Sequence, residues 1–227
     1  MEIAPGRLSR HIDISCVQAF HAADDIAKLA ALARAHDFVS AHVLPGWVPP
    51  LRELLAGSTT LVGAPVGFPS GGVTARTKVR EAEELLESGV QEMDVVVNIG
   101  RLRSGERSYV TDELAAVVDV VDGRVPVRAI LEVGHLDEAQ IRIGCDCAVN
   151  AGVGWVKTAT GWTGIPTTVA HVHVIADQLR GRAAIKAAGG IRDLVTVEAM
   201  TALGVTRFGM NADVAVRLVS EHGASHG

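Results

Sequence analysis

The sequence predicts an α/β protein folded as a (β/α)8 TIM barrel. Short apolar runs alternate with amphipathic stretches, and eight such units fill the 227 residues. At about 28 residues per unit the chain is near the floor for that fold, with little room for insertions. Strict alternation implies parallel strands joined by right-handed crossovers. An open doubly wound sheet is disfavoured because no G-x-G-x-x-G follows the first strand.

The strands are read as β-branched or small-residue runs bounded by Gly and Pro. The first, His11–Ser15, leads into a helix over Asp24–His36 that opens on two aspartates and carries Ile26, Leu29, Ala30 and Ala33 on one stripe. Strand Val39–Leu44 is followed by a short helix, Pro49–Leu55. Strand Thr60–Val66 precedes helix Thr74–Ser88, which stops before Gly89 as a C-cap. Strands Met93–Ile99, Val125–Val133, Trp155–Ala159, Ala184–Ala188 and Arg207–Met210 then alternate with five helices. Those helices span Ser108–Val121, Asp137–Asn150, Thr167–Leu179, Val195–Leu203 and Ala212–Val219. No linker or low-complexity tract interrupts the pattern, so one barrel domain is expected over residues 1–220, with a mobile polar tail over 221–227.

Composition narrows the function. Hydrophobic residues make up 48% of the chain, charged residues 21%, and the net charge is −5. No Lys/Arg cluster stands out, which argues against nucleic acid or an anionic membrane as partner. No apolar run reaches the roughly 18–20 residues of a membrane helix, and no signal-peptide core is visible. Three cysteines make no disulfide framework, so a reducing cytoplasm is expected. A homodimer through the outer helices is left open, since no helix has a clearly surplus apolar face.

Of 21 basic residues only four are lysines, namely Lys28, Lys78, Lys157 and Lys186. A lysine inside an apolar segment is therefore unlike the chain's routine surface cation, and Lys157 and Lys186 both lie in such segments. Alternation puts Trp155, Lys157 and Ala159 on one face of the sixth strand, and Ala184, Lys186 and Ala188 on one face of the seventh. Neighbouring strands lie about 4.8 Å apart. Two inward ammonium groups would repel each other and lose hydration, so one amine becomes available near neutral pH to attack a carbonyl and form a Schiff base. The alternative is two lysines that snorkel to solvent.

Asp94 shares a face of the fourth strand with Val96 and Asn98. An acid buried in a barrel must be paired or functional, and one facing two lysines suits proton relay. A structural ion pair is the competing explanation. Arg128 and Glu132 are read as a buried ion pair on the fifth strand. Asp13 and His42 sit near the ends of early strands and are candidates to line the pocket. Gly189, Gly190 and Gly209 end the last two strands, where barrels commonly hold phosphate on backbone N–H groups; Asn211 is placed to cap the last helix or to donate to an anion. Cys145 and Cys147 lie in a helix without a matching ligand pair, so packing is expected rather than metal binding.

Several blocks resemble the deoxyribose-phosphate aldolase family: Gly67-Phe-Pro69, Glu92–Gly105 (EMDVVVNIGRLRSG), Ile130-Leu-Glu132, Val156-Lys-Thr-Ala-Thr-Gly161 and Ile185-Lys-Ala-Ala-Gly-Gly-Ile-Arg192. They stand in the family's order and spacing and span most of the chain. The resemblance implies a class I aldolase without a metal or other cofactor, cleaving 2-deoxyribose 5-phosphate to glyceraldehyde 3-phosphate and acetaldehyde. It assigns the Schiff base to Lys157, the lowering of its pKa to Lys186 and proton relay to Asp94. Asp13, Ser15, His42, Gly161, Gly189, Gly190, Gly209 and Asn211 are the expected substrate contacts.

The chain departs from the family pattern at several points. His42 stands where the family usually has Cys, and Asp13-Ile14-Ser15 replaces Asp-x-Thr. Ala159 and Ala188 replace serines. The eighth strand ends Gly209-Met210-Asn211-Ala212 where the family carries phosphate-holding serines. The expected substrate is therefore deoxyribose 5-phosphate or a relative whose phosphate is altered or absent. Two other functions compete: a Schiff-base enzyme with a different outcome, such as dehydration or condensation, and a non-catalytic barrel that binds a sugar or aldehyde.

Overall fold

The computed structural model describes residues 3–4 and 7–225. Eight parallel strands close into a barrel in sequence order. They are β1 (Ile12–Cys16), β2 (Ser40–Val43), β3 (Leu61–Val66), β4 (Glu92–Val96), β5 (Val127–Ile130), β6 (Trp155–Lys157), β7 (Ala184–Ala188) and β8 (Val205–Asn211). The helices are α1 (Ala23–Ala35), α2 (Val48–Leu54), α3 (Ala75–Glu87), α4 (Ile99–Arg103), α5 (Arg107–Val121), α6 (Glu138–Asn150), α7 (Val169–Leu179), α8 (Leu194–Ala202) and α9 (Ala212–Ser225).

Apolar positions of the strands join the helices in one continuous core. Ile12, Ile14, Val43, Val62, Val66, Met93, Val95, Val156, Ile185 and Phe208 are all buried there. Helix starts carry local chemistry that fixes where each turn begins. Thr74 caps α3 by accepting from Thr77 N, Asp137 and Gln140 form a reciprocal box on α6, and Asp193 caps α8 through Thr196 N.

Three expectations need correction. The strand read to Ile99 ends at Val96, because Asn98 accepts from Arg101 N and starts the short helix α4. The strand read as Val125–Val133 is confined to Val127–Ile130, and Glu132 turns into the left-handed region at φ 59°. Arg128 and Glu132 therefore form no pair. Arg128 bonds Glu92 and Asp94, while Glu132 accepts from Thr160 N and Thr160 Oγ1. Finally, the segment expected as a tail is helical as far as Ser225, with His222 buried; residues 226–227 lie outside the described residues.

A third lysine is withdrawn from solvent. Lys78 is fully buried, 2.8 Å from Glu113 on α5, and donates to the Val96 carbonyl at the end of β4. Among the described residues no helix is long and apolar enough to cross a membrane. Cys16, Cys145 and Cys147 are free thiols, the last two buried on α6.

Candidate active site

Barrel interiors of this type are usually filled by branched apolar side chains. Here the centre holds charge. β1 contributes Asp13, β2 His42, β4 Glu92 and Asp94, β5 Arg128, β6 Lys157, β7 Lys186 and β8 Arg207, and all but Arg207 are buried. β3 supplies no ionisable group. Its Gly63 lies against the His42 ring, and a Cβ there would come within 2.3 Å of the imidazole.

Lys157 and Lys186 are direct partners in the β6–β7 register. Both ammonium nitrogens reach the same oxygen, Asp94 Oδ2, at 2.8 and 2.7 Å. Lys186 also lies 2.7 Å from Asp13 Oδ2. Arg207 donates to Asp13 Oδ1 and to both oxygens of Glu92, and Arg128 joins Glu92 Oε1 at 2.6 Å to Asp94 Oδ1 at 3.4 Å. His42 places Nε2 3.4 Å from Glu92 Oε2 and 3.7 Å from Asp13 Oδ2, with Nδ1 3.7 Å from Asp94 Oδ2.

Three carboxylates thus face two ammonium and two guanidinium groups. With the imidazole neutral, this leaves one positive charge in excess, and loss of one proton balances the cluster. Lys157 is the group poised to lose it. Burial is the main cause, Lys186 adds to it and Asp94 opposes it, bringing the Lys157 ammonium down to about 8. Withdrawal from water matters more than the repulsion between the two ammonium groups, because both pair with the Asp94 carboxylate. Burial alone would raise the Asp94 carboxyl, but Lys157, Lys186 and the other cationic neighbours outweigh it and hold it well below its usual range. Burial opposes ionisation of Glu92 too, yet the His42 hydrogen bond and Arg128 bring it to about 2.

A cavity of about 210 Å³ opens over this cluster at the strand ends. Lys157, Lys186 and Asp94 line it, as do Asp13, Ser15, His42, Gly161, Gly189, Gly190, Gly209 and Asn211. Contact with the cavity does not leave every group free. Asp13 spends its oxygens on Lys186 and Arg207, Ser15 Oγ donates to Met210 O at 3.4 Å, and Asn211 Oδ1 accepts from Val214 N as the cap of α9. Gly190 sits at φ 77°, and a Cβ there would meet Pro166 at 2.8 Å, so the loop after β7 requires glycine.

Sequence reasoning passed over Glu92, Arg207, Arg192, Thr160 and Phe68. The period-2 rule that selected Asp94 also selects Glu92, two residues earlier, and Gly209 selects Arg207 in the same way. Arg192 is exposed and brings a cation to the cavity edge, while Phe68 and Thr160 line it from loops. Among the described residues, Asp13, His42 and Glu92 bring ligand-type atoms within 4.8 Å of one another. Guanidinium groups and an ammonium already occupy those carboxylates, and their charge opposes a divalent cation.

No protein-family model matches the chain. Individual proteins do. The deoxyribose-phosphate aldolase of Sinorhizobium medicae is 49% identical over 226 residues, covering 99% of this chain and 91% of the relative. That of Klebsiella pneumoniae is 46% identical over 218 residues, covering 95% and 87%. The solved structure described as "QR15, an Aldolase" superimposes with a TM-score of 0.89 at 27% identity over 96% of each chain. Near-full-length identity at this level, on a barrel whose register sets Lys157 beside Lys186, leaves one assignment: the chain belongs to the deoxyribose-phosphate aldolase family.

Proposed function

We propose that Lys157 is the Schiff-base lysine of an aldolase that cleaves and forms 2-deoxyribose 5-phosphate. The observation that carries this reading is the placement of two buried ammonium groups on one carboxylate oxygen beneath an open cavity. Lys186 is the amine that keeps Lys157 from holding its proton, and Asp94 is the relay. As a free amine, Lys157 Nζ adds to the aldehyde carbon, C1. The carbinolamine loses water to give an iminium ion. The C3 hydroxyl then loses its proton, the C2–C3 bond breaks, and its electron pair runs into the iminium as an enamine. Glyceraldehyde 3-phosphate departs. Protonation of the enamine at C2, followed by hydrolysis, releases acetaldehyde and restores Lys157. Asp94 accepts and returns the protons, and no step calls for a metal or another cofactor.

A second reading of the substrate rests on the eighth strand. Asn211 spends its Oδ1 on Val214 N and keeps its amide N–H groups, and Met210 and Ala212 bring no hydroxyl, so the far end of the pocket offers Arg192, the Asn211 amide and backbone donors after β7. The lack of hydroxyl donors on the eighth strand favours a substrate whose distal end is not a phosphate. The free thiols and the lack of a membrane-length helix among the described residues support a reducing cytoplasm as its location.

Borohydride trapping with acetaldehyde tests the amine assignment, with an ethyl group expected on Lys157 and nowhere else. A folded sample that gains no adduct overturns it. Comparing kcat/KM for deoxyribose 5-phosphate and for deoxyribose decides between the two substrates.

A further inference from the structure

His42 is a group of the cluster whose acid–base chemistry the proposed mechanism leaves unused. It is buried, lines the cavity and faces charge from several strands: Asp13 on β1, Glu92 and Asp94 on β4, and Lys186 on β7. Arg128 on β5, Lys157 on β6 and Arg207 on β8 hold the same carboxylates. Nε2 meets two carboxylates, Glu92 and Asp13, so the ring hydrogen belongs on Nε2. That leaves Nδ1 without a hydrogen, 3.7 Å from Asp94 Oδ2.

The other neighbours of the Asp94 carboxylate are donors. Two ammonium groups meet Oδ2 and the Arg128 guanidinium meets Oδ1. When Asp94 takes a proton it becomes an O–H group that needs an acceptor. His42 Nδ1 is the acceptor that faces it. Two lone pairs opposed at that distance also repel, and a proton between them removes the repulsion. Catalytic hydrogen bonds are often longer in the free enzyme than in the reacting complex.

We propose that His42 is a relay residue that acts through Asp94, its Nδ1 sharing the proton that Asp94 removes from the α-carbon of the iminium ion. The step balances. The C–H bond at the α-carbon breaks, its electron pair forms the enamine double bond, the iminium π pair moves onto Lys157 Nζ, and the proton rests between Asp94 Oδ2 and His42 Nδ1. Reversal returns it to carbon. Burial and Lys186 push the imidazole below its ordinary value, which keeps the ring neutral and the lone pair free.

The inference rests on the Schiff-base reading, so the experiment measures the two separately. Full-length wild-type protein is incubated with acetaldehyde in deuterium oxide, and deuterium entering the methyl group is followed by NMR beside borohydride trapping. In His42→Gln the amide replaces Nε2 as donor to Glu92 but offers no basic Nδ1. The expected result is an adduct still formed at Lys157, exchange slowed about 10-fold or more relative to trapping, and loss of the His42-dependent part of the pH profile of exchange. A second variant, Gly63→Ala, adds a methyl group against the imidazole and moves it without changing its chemistry. It should slow exchange too, and the double variant should be no slower than His42→Gln alone. Exchange within twofold of wild type with trapping retained overturns the role of His42. Equal loss of trapping and exchange in a folded variant also overturns it. Absence of trapping in the wild type refutes the Schiff-base reading instead.

Discussion

Lys157 and Lys186 converge on one oxygen of Asp94 from adjacent strands, 2.8 and 2.7 Å away. The two amines are not equivalent. Lys186 has a second carboxylate in Asp13, whereas the ion-pair partner of Lys157 within 4 Å is Asp94. Lys157 is also nearer the opening, 9% exposed against 1%. The amine with fewer ion-pair partners, nearer the opening, is the one suited to give up its proton and meet the substrate.

Replacing Lys157 with Met should abolish turnover and adduct formation while the barrel remains folded, because Asp94 keeps Lys186 and Arg128 as partners. Circular dichroism and borohydride trapping check the two halves. Residual aldol cleavage above about one part in a thousand would point to a different nucleophile.

The pH profile of wild-type trapping should rise about tenfold per unit below pH 8 and level off above it, following the Lys157 free amine. The same shift affects stability. Between pH 8 and the ordinary lysine value of 10.5, the unfolded chain binds more protons than the native one, so this lysine's contribution to stability rises with pH across that window. The gain is about 3 kcal/mol. It should appear in urea titrations as a difference between wild type and Lys157→Met, which cancels the opposing titration of Cys16, pushed up to about 11 by burial. Parallel curves for the two proteins from pH 8 to 10.5 would contradict this.

Lys186→Met removes a positive charge that lowers the Lys157 ammonium. The trapping profile should move to higher pH, and activity at pH 7 should fall more than activity at pH 9. Uniform loss at all pH values would mean that Lys186 acts by packing alone.

The alternation of strand residues makes the placement of Lys157, Lys186 and Asp94 legible, since one period-2 face carries each and chain order makes β6 and β7 neighbours. What closed the network was less legible. The apolar run continues past Ile130 and so sets Arg128 and Glu132 on one strand face, but the left-handed turn at Glu132 takes that carboxylate to Thr160. Partners for Arg128 come from β4, across a ladder that one strand's periodicity does not reveal. The helical turn at Ile99–Arg103 was hidden in the same way: Val95-Val96-Val97 reads as strand, and the Asn98 side chain decides the local contest by capping. Composition alone predicts a mobile tail, yet His222 is buried.

Arg128 joins Glu92 to Asp94 at the centre of the barrel, so Arg128→Met strips Glu92 Oε1 and Asp94 Oδ1 of this buried guanidinium partner and should destabilise the protein by about 3–5 kcal/mol. Acid stability tests the electrostatic origin. Glu92, held at about 2 against an ordinary 4.5, contributes stability that is fully present above pH 4.5 and is lost as pH falls towards 2. Without Arg128 that loss should begin at higher pH. Urea midpoints for the two proteins from pH 3 to 7 should therefore diverge on the acid side, and a constant offset would assign the effect to packing.

The distal end of the substrate is the remaining choice, and Arg192 decides it. It follows the Gly189-Gly190 turn, borders the cavity and is fixed through its backbone, where the Arg192 carbonyl accepts from Arg217 at 2.7 Å. An exposed guanidinium adds little to folding, so Arg192→Ala should leave thermal stability nearly unchanged. If the substrate carries phosphate, the variant should raise KM for deoxyribose 5-phosphate about 10-fold or more and leave kcat, acetaldehyde trapping and turnover of unphosphorylated deoxyribose intact. The residues proposed for the chemistry, Asp94, Lys157 and Lys186, sit on β4, β6 and β7, whereas Arg192 lies in the loop after β7 at the cavity edge. Equal KM changes for both sugars would remove Arg192 from phosphate recognition. Wild-type kcat/KM higher for the free sugar would favour the reading in which Met210, Asn211 and Ala212 mark a site that has given up the anion.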